Sequence, residues 1–215
     1  MGMKKWRTVF SCVYCFLAVV GFVADFGFFT GKITGRPFVF YTSLSNMACS
    51  VFMFAALFQS FRKGNRDLWP KIKFIFTVMI LVTAIVFNLL LNSYQSATAY
   101  FANLKNSLYH LILPVLFFLD WLLFYRRGAL RPGHPLWAVA PPLVYVVYIL
   151  IRASIVKSMG LTTGVLYPYF FLNIDRLGWS GFALWMGILL IGLLVLSYTL
   201  YALDRLLGKK ATQPV

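Results

Sequence analysis

Long apolar runs separated by short polar stretches form the main pattern along this chain. Six runs are long enough to cross about 30 Å of hydrocarbon as helices of roughly 20 residues. They lie at about 7–29, 41–61, 72–93, 105–125, 136–157 and 180–203. The sequence therefore predicts an all-α membrane protein, a six-transmembrane-helix bundle that forms one integral membrane domain over residues 1–215. In a bacterium we expect it in the cell membrane.

Basic residues are divided unequally between the two sides of this predicted bundle. Fourteen of the 20 lie before the first run, after the last, or around the second and fourth connections: Lys4, Lys5, Arg7, Arg62, Lys63, Arg66, Lys71, Lys73, Arg126, Arg127, Arg131, Arg205, Lys209 and Lys210. Because cytoplasmic connections carry the excess of Lys and Arg, both termini are predicted to be cytoplasmic. The net charge of +15 is therefore a topology signal, and we do not expect nucleic-acid binding.

Polar residues inside the apolar runs fall at one depth. Counted at about 1.5 Å per helical residue, they lie roughly 5–8 Å below the outer boundary. The set comprises Asp25, Thr42, Asn46, Asn88, Asn92, His110 and Arg152. Tyr145 and Tyr148 share a helix face with Arg152, and Ser45 and Cys49 share one with Thr42 and Asn46. Since polar groups in hydrocarbon face a bundle interior or a wet cavity, the pattern predicts a shared pocket. Its polar top and apolar floor would suit an amphiphile.

Taken singly, these residues also have structural explanations. A threonine in a membrane helix usually bonds the carbonyl four residues before it, the asparagines can tie helices together, and Arg152 can extend its charge outward. Asp120 lies about 15 Å along the helix from His110, so it cannot orient that histidine. We expect Asp120 to pair structurally near the cytoplasmic arginines.

An aromatic cluster at Tyr167-Pro168-Tyr169-Phe170-Phe171 lies in the last outer connection. Aromatic residues at this position are typical of the belt that anchors a protein at the membrane surface. The same cluster would also serve as a lid over a cavity. The sequence favours the belt and leaves the lid as its alternative.

Three short motifs carry a family resemblance. They are FYTSLSN at 40–46, HLILP at 110–114 and DWLLF at 120–124, and the likeness continues through 145–152 and 167–170. The chain resembles the androgen-induced-protein family, most closely its small bacterial members. These multi-pass membrane proteins include threonine-dependent hydrolases of fatty acid esters of hydroxy fatty acids. The resemblance implies a threonine nucleophile and a histidine partner on separate helices, at Thr42 and His110.

Elementary chemistry is compatible with these two roles. A threonine hydroxyl is a poor nucleophile unless a base takes its proton, and a neutral imidazole can do so and return the proton to a leaving alcohol. The tetrahedral intermediate needs hydrogen-bond donors, for which Asn46, Asn88 or a tyrosine hydroxyl are candidates. The tyrosines of the helix face described above are Tyr145 and Tyr148.

Two charged residues complete the candidate site. Arg152 would bind the free carboxylate that fatty acid esters of hydroxy fatty acids retain. Asp25 would orient His110 or balance the charge of Arg152.

The leading hypothesis is an intramembrane lipid-ester hydrolase that takes its substrate from the bilayer. The alternatives are a membrane acyltransferase that forms the same acyl-threonine, and a non-enzymatic lipid-binding or transport protein. The sequence contains no metal-ligand set, no glycine-rich phosphate loop and no Gly-x-Ser-x-Gly elbow. We therefore expect no metal and no cofactor, and the oligomeric state is left open.

Overall fold

Helices account for most of the described backbone. The structure, a computed structural model, describes residues 3–63, 67–92, 96–161 and 165–211, and this part of the chain contains no strand. The helices are α1 Met3–Asp25, α2 Tyr41–Lys63, α3 Pro70–Val86, α4 Ala97–Ala102, α5 Leu104–Ser107, α6 Leu113–Phe124, α7 His134–Trp137, α8 Ala140–Ser158 and α9 Ile174–Ala211. Short 3-10 turns lie at Phe28–Thr30, Arg36–Val39 and Phe170–Leu172.

Six helical segments are long and apolar enough to cross a membrane. They are Lys5–Asp25, Tyr41–Arg62, Pro70–Leu91, Leu104–Phe124, His134–Ser158 and Ile174–Gly208. Each contains most of one predicted run, so the six-helix prediction is confirmed. Two of them include a π-helical turn, Phe87–Leu91 after α3 and Leu108–Ile112 between α5 and α6. Ser93, the last residue of the predicted third run, lies outside the described residues.

Both ends of the described chain lie at the same end of the bundle, which we call the terminal end. Arg7 of α1 binds Asp67 at 3.1 Å, and the other oxygen of Asp67 accepts the Arg126 N–H at 2.8 Å. Asp204 of α9 accepts the Gly128 N–H at 3.1 Å. The opposite end, which we call the Thr42 end, carries residues 26–40, 159–161 and 165–173. Arg66, and the side chains of Lys4, Lys63, Lys209 and Lys210, lie outside what the structure describes.

All five aspartates of the chain pair with a cation. The pairs are Asp25–Lys105, Asp67–Arg7, Asp120–Lys73, Asp175–Lys157 and Asp204–Arg127. Asp120 therefore has the structural partner we expected, although the partner is a lysine. Lys73, assigned from sequence to a basic connection, is completely buried in α3, with its ammonium 2.7 Å from Asp120 and 3.3 Å from the centre of the Phe117 ring.

The packed core is the buried cluster shared by α1, α2, α3 and α6. Among its aromatic members, Phe117 contacts Tyr14 and Phe52, and Phe74 contacts Trp121, as tilted or edge-to-face rings. Such arrangements of aromatic rings are favoured over face-to-face stacking. The four helices pack along one another, so this part of the bundle contains little free space.

The fifth segment is attached differently. Within the described ranges, α8 does not pack closely along any other helix. Near the Thr42 end a second apolar cluster holds it, in which Ile149 packs with Phe171 and Phe182. Hydrogen bonds add to this attachment: the Tyr145 hydroxyl donates to Val39 O at 2.9 Å and the Tyr148 hydroxyl to Phe38 O at 3.0 Å. The sixth segment bends at Gly178, whose φ of 65° suits glycine. A gap is left between α3, α8 and α9.

Candidate functional site: an apolar chamber beside Thr42

The gap between α3, α8 and α9 forms a chamber of about 430 Å³. Its wall consists mainly of aliphatic and aromatic side chains, and the polar groups on it come from Tyr41, Thr42, Thr83, Tyr145 and Tyr169. The volume lies within the range of small-molecule sites. A wall of this kind fits a hydrocarbon chain better than an ion or a sugar. A hydrocarbon chain is the apolar part of the amphiphile that the sequence predicts.

Thr42 lies on the chamber wall in the first turn of α2. N–H groups in the first turn of a helix have no partner within the helix. The Thr42 N–H donates instead to the Tyr169 hydroxyl at 3.3 Å, and the hydroxyl oxygens of the two residues are 3.4 Å apart. The carbonyl of Phe38, four residues earlier, accepts from Tyr148. The Thr42 side chain therefore faces the chamber instead of bonding its own helix.

Tyr169 covers the end of the chamber next to Thr42. With Phe171 and Leu172 it forms part of the wall, as the lid alternative predicts for these residues. The belt at the membrane surface stays a prediction. Burial raises the pKa of Tyr169, although its hydrogen bonds with Thr42 oppose the shift. The hydroxyl is thus protonated at neutral pH. Its oxygen accepts the Thr42 N–H, so its own proton can be donated to the Thr42 hydroxyl or to a bound molecule.

His110 lies in a π-helical turn whose cause is Pro114. The Leu113 N–H bonds Leu108 O, five residues back, and Pro114 has no N–H for His110 O. The carbonyls of Tyr109 and His110 are therefore left for side-chain donors. Asn46 of α2 donates to Tyr109 O at 3.2 Å, and Asn88 of the third segment donates to His110 O at 3.1 Å.

Both asparagines thus support the backbone that carries His110, and neither lies on the chamber wall. Asn46 also donates to Thr42 O at 2.8 Å, so its amide joins the turn of Thr42 to the turn of His110. Asn46 and Asn88 therefore tie helices together, as the structural explanation of these residues predicts. π-helical turns occur frequently at functional sites.

The imidazole of His110 is separated from the chamber by one aromatic ring. Phe87 stacks on it with ring centres 3.4 Å apart and planes within 5°. Phe87 belongs to the chamber wall, whereas His110 does not. Nδ1 of His110 is buried and has no hydrogen-bond partner in the described part of the chain. Nor does the ring bond the Thr42 hydroxyl, whose partner is Tyr169.

The prediction of one shared polar pocket is therefore wrong for most of its members. Of the eight candidates, only Thr42 and Tyr145 line the chamber. Asp25 pairs with Lys105, not with His110 or Arg152, and Arg152 donates to the carbonyls of Val165 and Leu166. The physical reason is that polar groups away from water need partners, and nearby ions and free carbonyls supply them.

Two residues important to this geometry were not among the predicted site residues. Tyr169 belongs to the aromatic cluster for which a lid is the alternative interpretation, so the sequence did contain a signal for it. Phe87 had none, because it is one apolar residue in an apolar run. Comparison with protein-family models, with curated proteins and with solved structures finds no match. Among the described residues, no group of three or more His, Cys or acidic side chains is placed to hold a metal ion.

Proposed function

We propose that this chain hydrolyses an ester of an amphiphilic lipid within the membrane, with Thr42 as the nucleophile. The observation that carries the proposal is the position of the Thr42 hydroxyl, on the wall of an apolar chamber and beside the hydroxyl of Tyr169. The resemblance of residues 40–46 and 110–114 to threonine-dependent hydrolases supports it. Fatty acid esters of hydroxy fatty acids are the substrate class that the resemblance favours.

The proposed reaction has two steps. The Thr42 oxygen attacks the ester carbonyl while His110 takes its proton, and the carbon–oxygen bond to the alcohol breaks as His110 returns that proton to the alcohol. Water then attacks the acyl-threonine by the same proton transfers and releases the fatty acid. Tyr169 donates a hydrogen bond to the carbonyl oxygen as negative charge develops on it.

The role of His110 requires Phe87 to leave the aromatic stack when substrate binds. The stack holds the imidazole against Phe87, and Nδ1 makes no hydrogen bond within the described residues. Catalytic hydrogen bonds are often incomplete before substrate binds. Movement of one phenylalanine side chain would expose the imidazole to the chamber.

The decisive experiment measures hydrolysis of a branched fatty ester by purified protein in detergent or vesicles. Thr42→Ala and His110→Gln are each expected to lower kcat by about a hundredfold or more, because both groups act in the transition state. Thr83→Ala is the matched control. Thr83 also lines the chamber, but its hydroxyl bonds Ser45 at 2.8 Å, so its loss should leave activity nearly unchanged.

Full activity of a folded Thr42→Ala protein would exclude the proposed nucleophile. Loss in Thr83→Ala equal to the loss in Thr42→Ala would show that any change of the wall disturbs the chamber, and the assignment would fail. Products analysed with and without an acceptor alcohol separate hydrolysis from acyl transfer.

A non-enzymatic lipid-binding protein is the second candidate. The observation that favours it is the separation of His110 from the chamber by Phe87. A binding protein would retain lipid through purification, equally well in wild type and in Thr42→Ala. It would show no ester cleavage in either.

We also propose that the chain is an integral protein of a cell membrane with its terminal end in the cytoplasm. Support comes from the excess of basic residues at the connections of that end. In a cysteine-free background, Lys32→Cys should react with an impermeant maleimide on intact cells. Arg131→Cys should react only after permeabilisation, and the reverse pattern would invert the orientation.

A further inference from the structure

We propose that the chamber binds one hydrocarbon chain of a lipid, which enters sideways from the bilayer between α8 and α9. The lipid belongs to the leaflet at the Thr42 end, and its polar group lies beside Thr42. The position of the reacting ester rests on the proposed function. The chain-binding site and its side opening rest on the wall of the chamber alone.

The opening is marked by two leucines that lie both on the chamber wall and on the outer surface of the bundle. Leu143 of α8 and Leu190 of α9 line the chamber, yet they are 58% and 41% exposed on the outside of the bundle. Large apolar side chains on the outside of a membrane bundle face lipid. The chamber wall is thus continuous with the lipid-facing surface at this position.

Loose attachment of α8 supports the same route. Polar contacts near the Thr42 end hold this helix, including Tyr145 to Val39, Tyr148 to Phe38 and Arg152 to Val165. Below those contacts α8 has no close packing along a neighbouring helix in the described ranges. The apolar cluster that holds α8, in which Ile149 packs with Phe171 and Phe182, lies nearer the Thr42 end than Leu143 does.

The depth of the chamber matches one leaflet. On α8 its wall runs from Leu150 to Val139, and on α9 from Phe182 to Leu193. Each pair is separated by eleven residues, or about 16 Å of helix. Half of the roughly 30 Å hydrocarbon core is about 15 Å. A lipid chain that moves sideways into the chamber would keep its depth and its polar group at the membrane surface.

The two ends of the chamber differ in chemistry. Three of its polar side chains, Thr42, Tyr145 and Tyr169, lie at the Thr42 end. Thr83 lies deeper, but its hydroxyl already contacts Ser45 and Met79 O. At the opposite end the wall is made of Val139, Pro142 and the buried Leu193. This gradient fixes the direction of the chain, with the methyl end toward the terminal end of the bundle.

The test uses fatty acids that carry a photoactivatable diazirine, with the full-length protein in phosphatidylcholine vesicles. A diazirine near the methyl end should label Val139 and Leu193, and one near the carboxyl end should label Tyr145 and Tyr169. Labelled residues are mapped by mass spectrometry of peptides. An excess of unmodified fatty acid should suppress both labels, because a defined site saturates.

Tryptophan substitutions test whether the lipid enters at the side opening and not elsewhere on the outer surface. Leu143→Trp and Leu190→Trp should each lower chamber labelling by about tenfold, a loss of about 1.4 kcal/mol in binding. Leu184→Trp is the matched control, because Leu184 is 65% exposed on α9 and does not line the chamber. It should leave labelling unchanged.

Thr42→Ala should also retain chamber labelling, so failure of the catalytic proposal would leave this result intact. Equal labelling of Leu184 and Leu193, unaffected by an excess of unmodified fatty acid, would show that the fatty acid lies on the outer surface of the protein and not in the chamber. Unchanged chamber labelling in folded Leu143→Trp and Leu190→Trp proteins would exclude the side opening. Either result overturns the inference.

Discussion

The packed core and the chamber side of this bundle hold their helices together in different ways. In the packed core, α1, α2, α3 and α6 fill the space between them with interlocking rings such as Phe52, Phe74 and Phe117. On the chamber side, α8 is attached through hydrogen bonds from Tyr145 and Tyr148 to backbone carbonyls. The space below those bonds is left unfilled.

If the six helices span a membrane, as we propose, this difference follows from the physics of helices in lipid. Lipid tails are as apolar as leucine, so burying an apolar side chain against another helix gains little by itself. Helices must associate through close packing or through polar bonds. The packed core uses close packing along its length, whereas the chamber side uses polar bonds and a small apolar cluster that includes Ile149 and Phe182, both near one end. Only the second arrangement leaves room for a ligand without loss of the contacts that hold the helix.

The largest expected effect comes from the charged pair in the packed core. Asp120→Ala leaves the ammonium of Lys73 buried without its partner, which should lower the free energy of unfolding by about 3–5 kcal/mol. Replacing both residues, as Lys73→Met with Asp120→Leu, should restore most of that loss. Unfolding of the purified protein by denaturant in detergent measures both effects.

Asp175→Asn is the control for this pair. Asp175 and its partner Lys157 are about half exposed, and such pairs contribute about 0–1 kcal/mol. If Asp120→Ala were no more destabilising than Asp175→Asn, the Lys73–Asp120 pair would not stabilise the packed core.

The second prediction compares leucines from the two regions. Leu113→Ala opens a cavity in the packed core, where Leu113 is completely buried, and should lower the free energy of unfolding by about 2–3 kcal/mol. Leu189→Ala enlarges a chamber that already exists, so fewer contacts are lost and we expect about 1 kcal/mol or less. Equal losses, measured by the same unfolding experiment, would mean that the chamber side is packed as tightly as the core.

The smallest predicted effect concerns the turn that carries His110. Asn88→Ala removes one hydrogen bond to His110 O and should cost about 0.6 kcal/mol, a typical value within membranes. In a Pro114→Ala background the cost should fall, because the N–H of residue 114 then reaches the same carbonyl. A double-mutant cycle on the free energy of unfolding measures this coupling.

Asn46→Ala provides the comparison for that cycle. Asn46 donates to Tyr109 O, which lies five residues before position 114. A residue-114 N–H that bonds His110 O, four residues back, does not reach Tyr109 O, so Pro114→Ala should not relieve the loss of Asn46. Relief of the Asn46 loss in place of the Asn88 loss would show that the N–H of residue 114 bonds Tyr109 O, five residues back. No relief of either loss would contradict the explanation of the π-helical turn by Pro114.

The pattern of the sequence determined the six helices and the buried face of α2. Each apolar run must satisfy its own backbone hydrogen bonds in hydrocarbon, which leaves only the helix for a run of that length. Thr42, Ser45, Asn46 and Cys49 are all buried, as their spacing predicts. These properties depend on local periodicity and length, and a sequence displays both directly.

Tertiary structure alone decided which polar groups share a space. Lys73 counted as a cytoplasmic charge until Asp120, 47 positions later in the chain, was found 2.7 Å from it. The ring of Phe87 comes between His110 and the chamber, and Tyr169 approaches Thr42 from a distant connection. Depth along a helix can be counted from sequence, but the partner of a side chain depends on helix rotation and on how distant connections fold back. Those are set by packing between segments that are far apart in the chain.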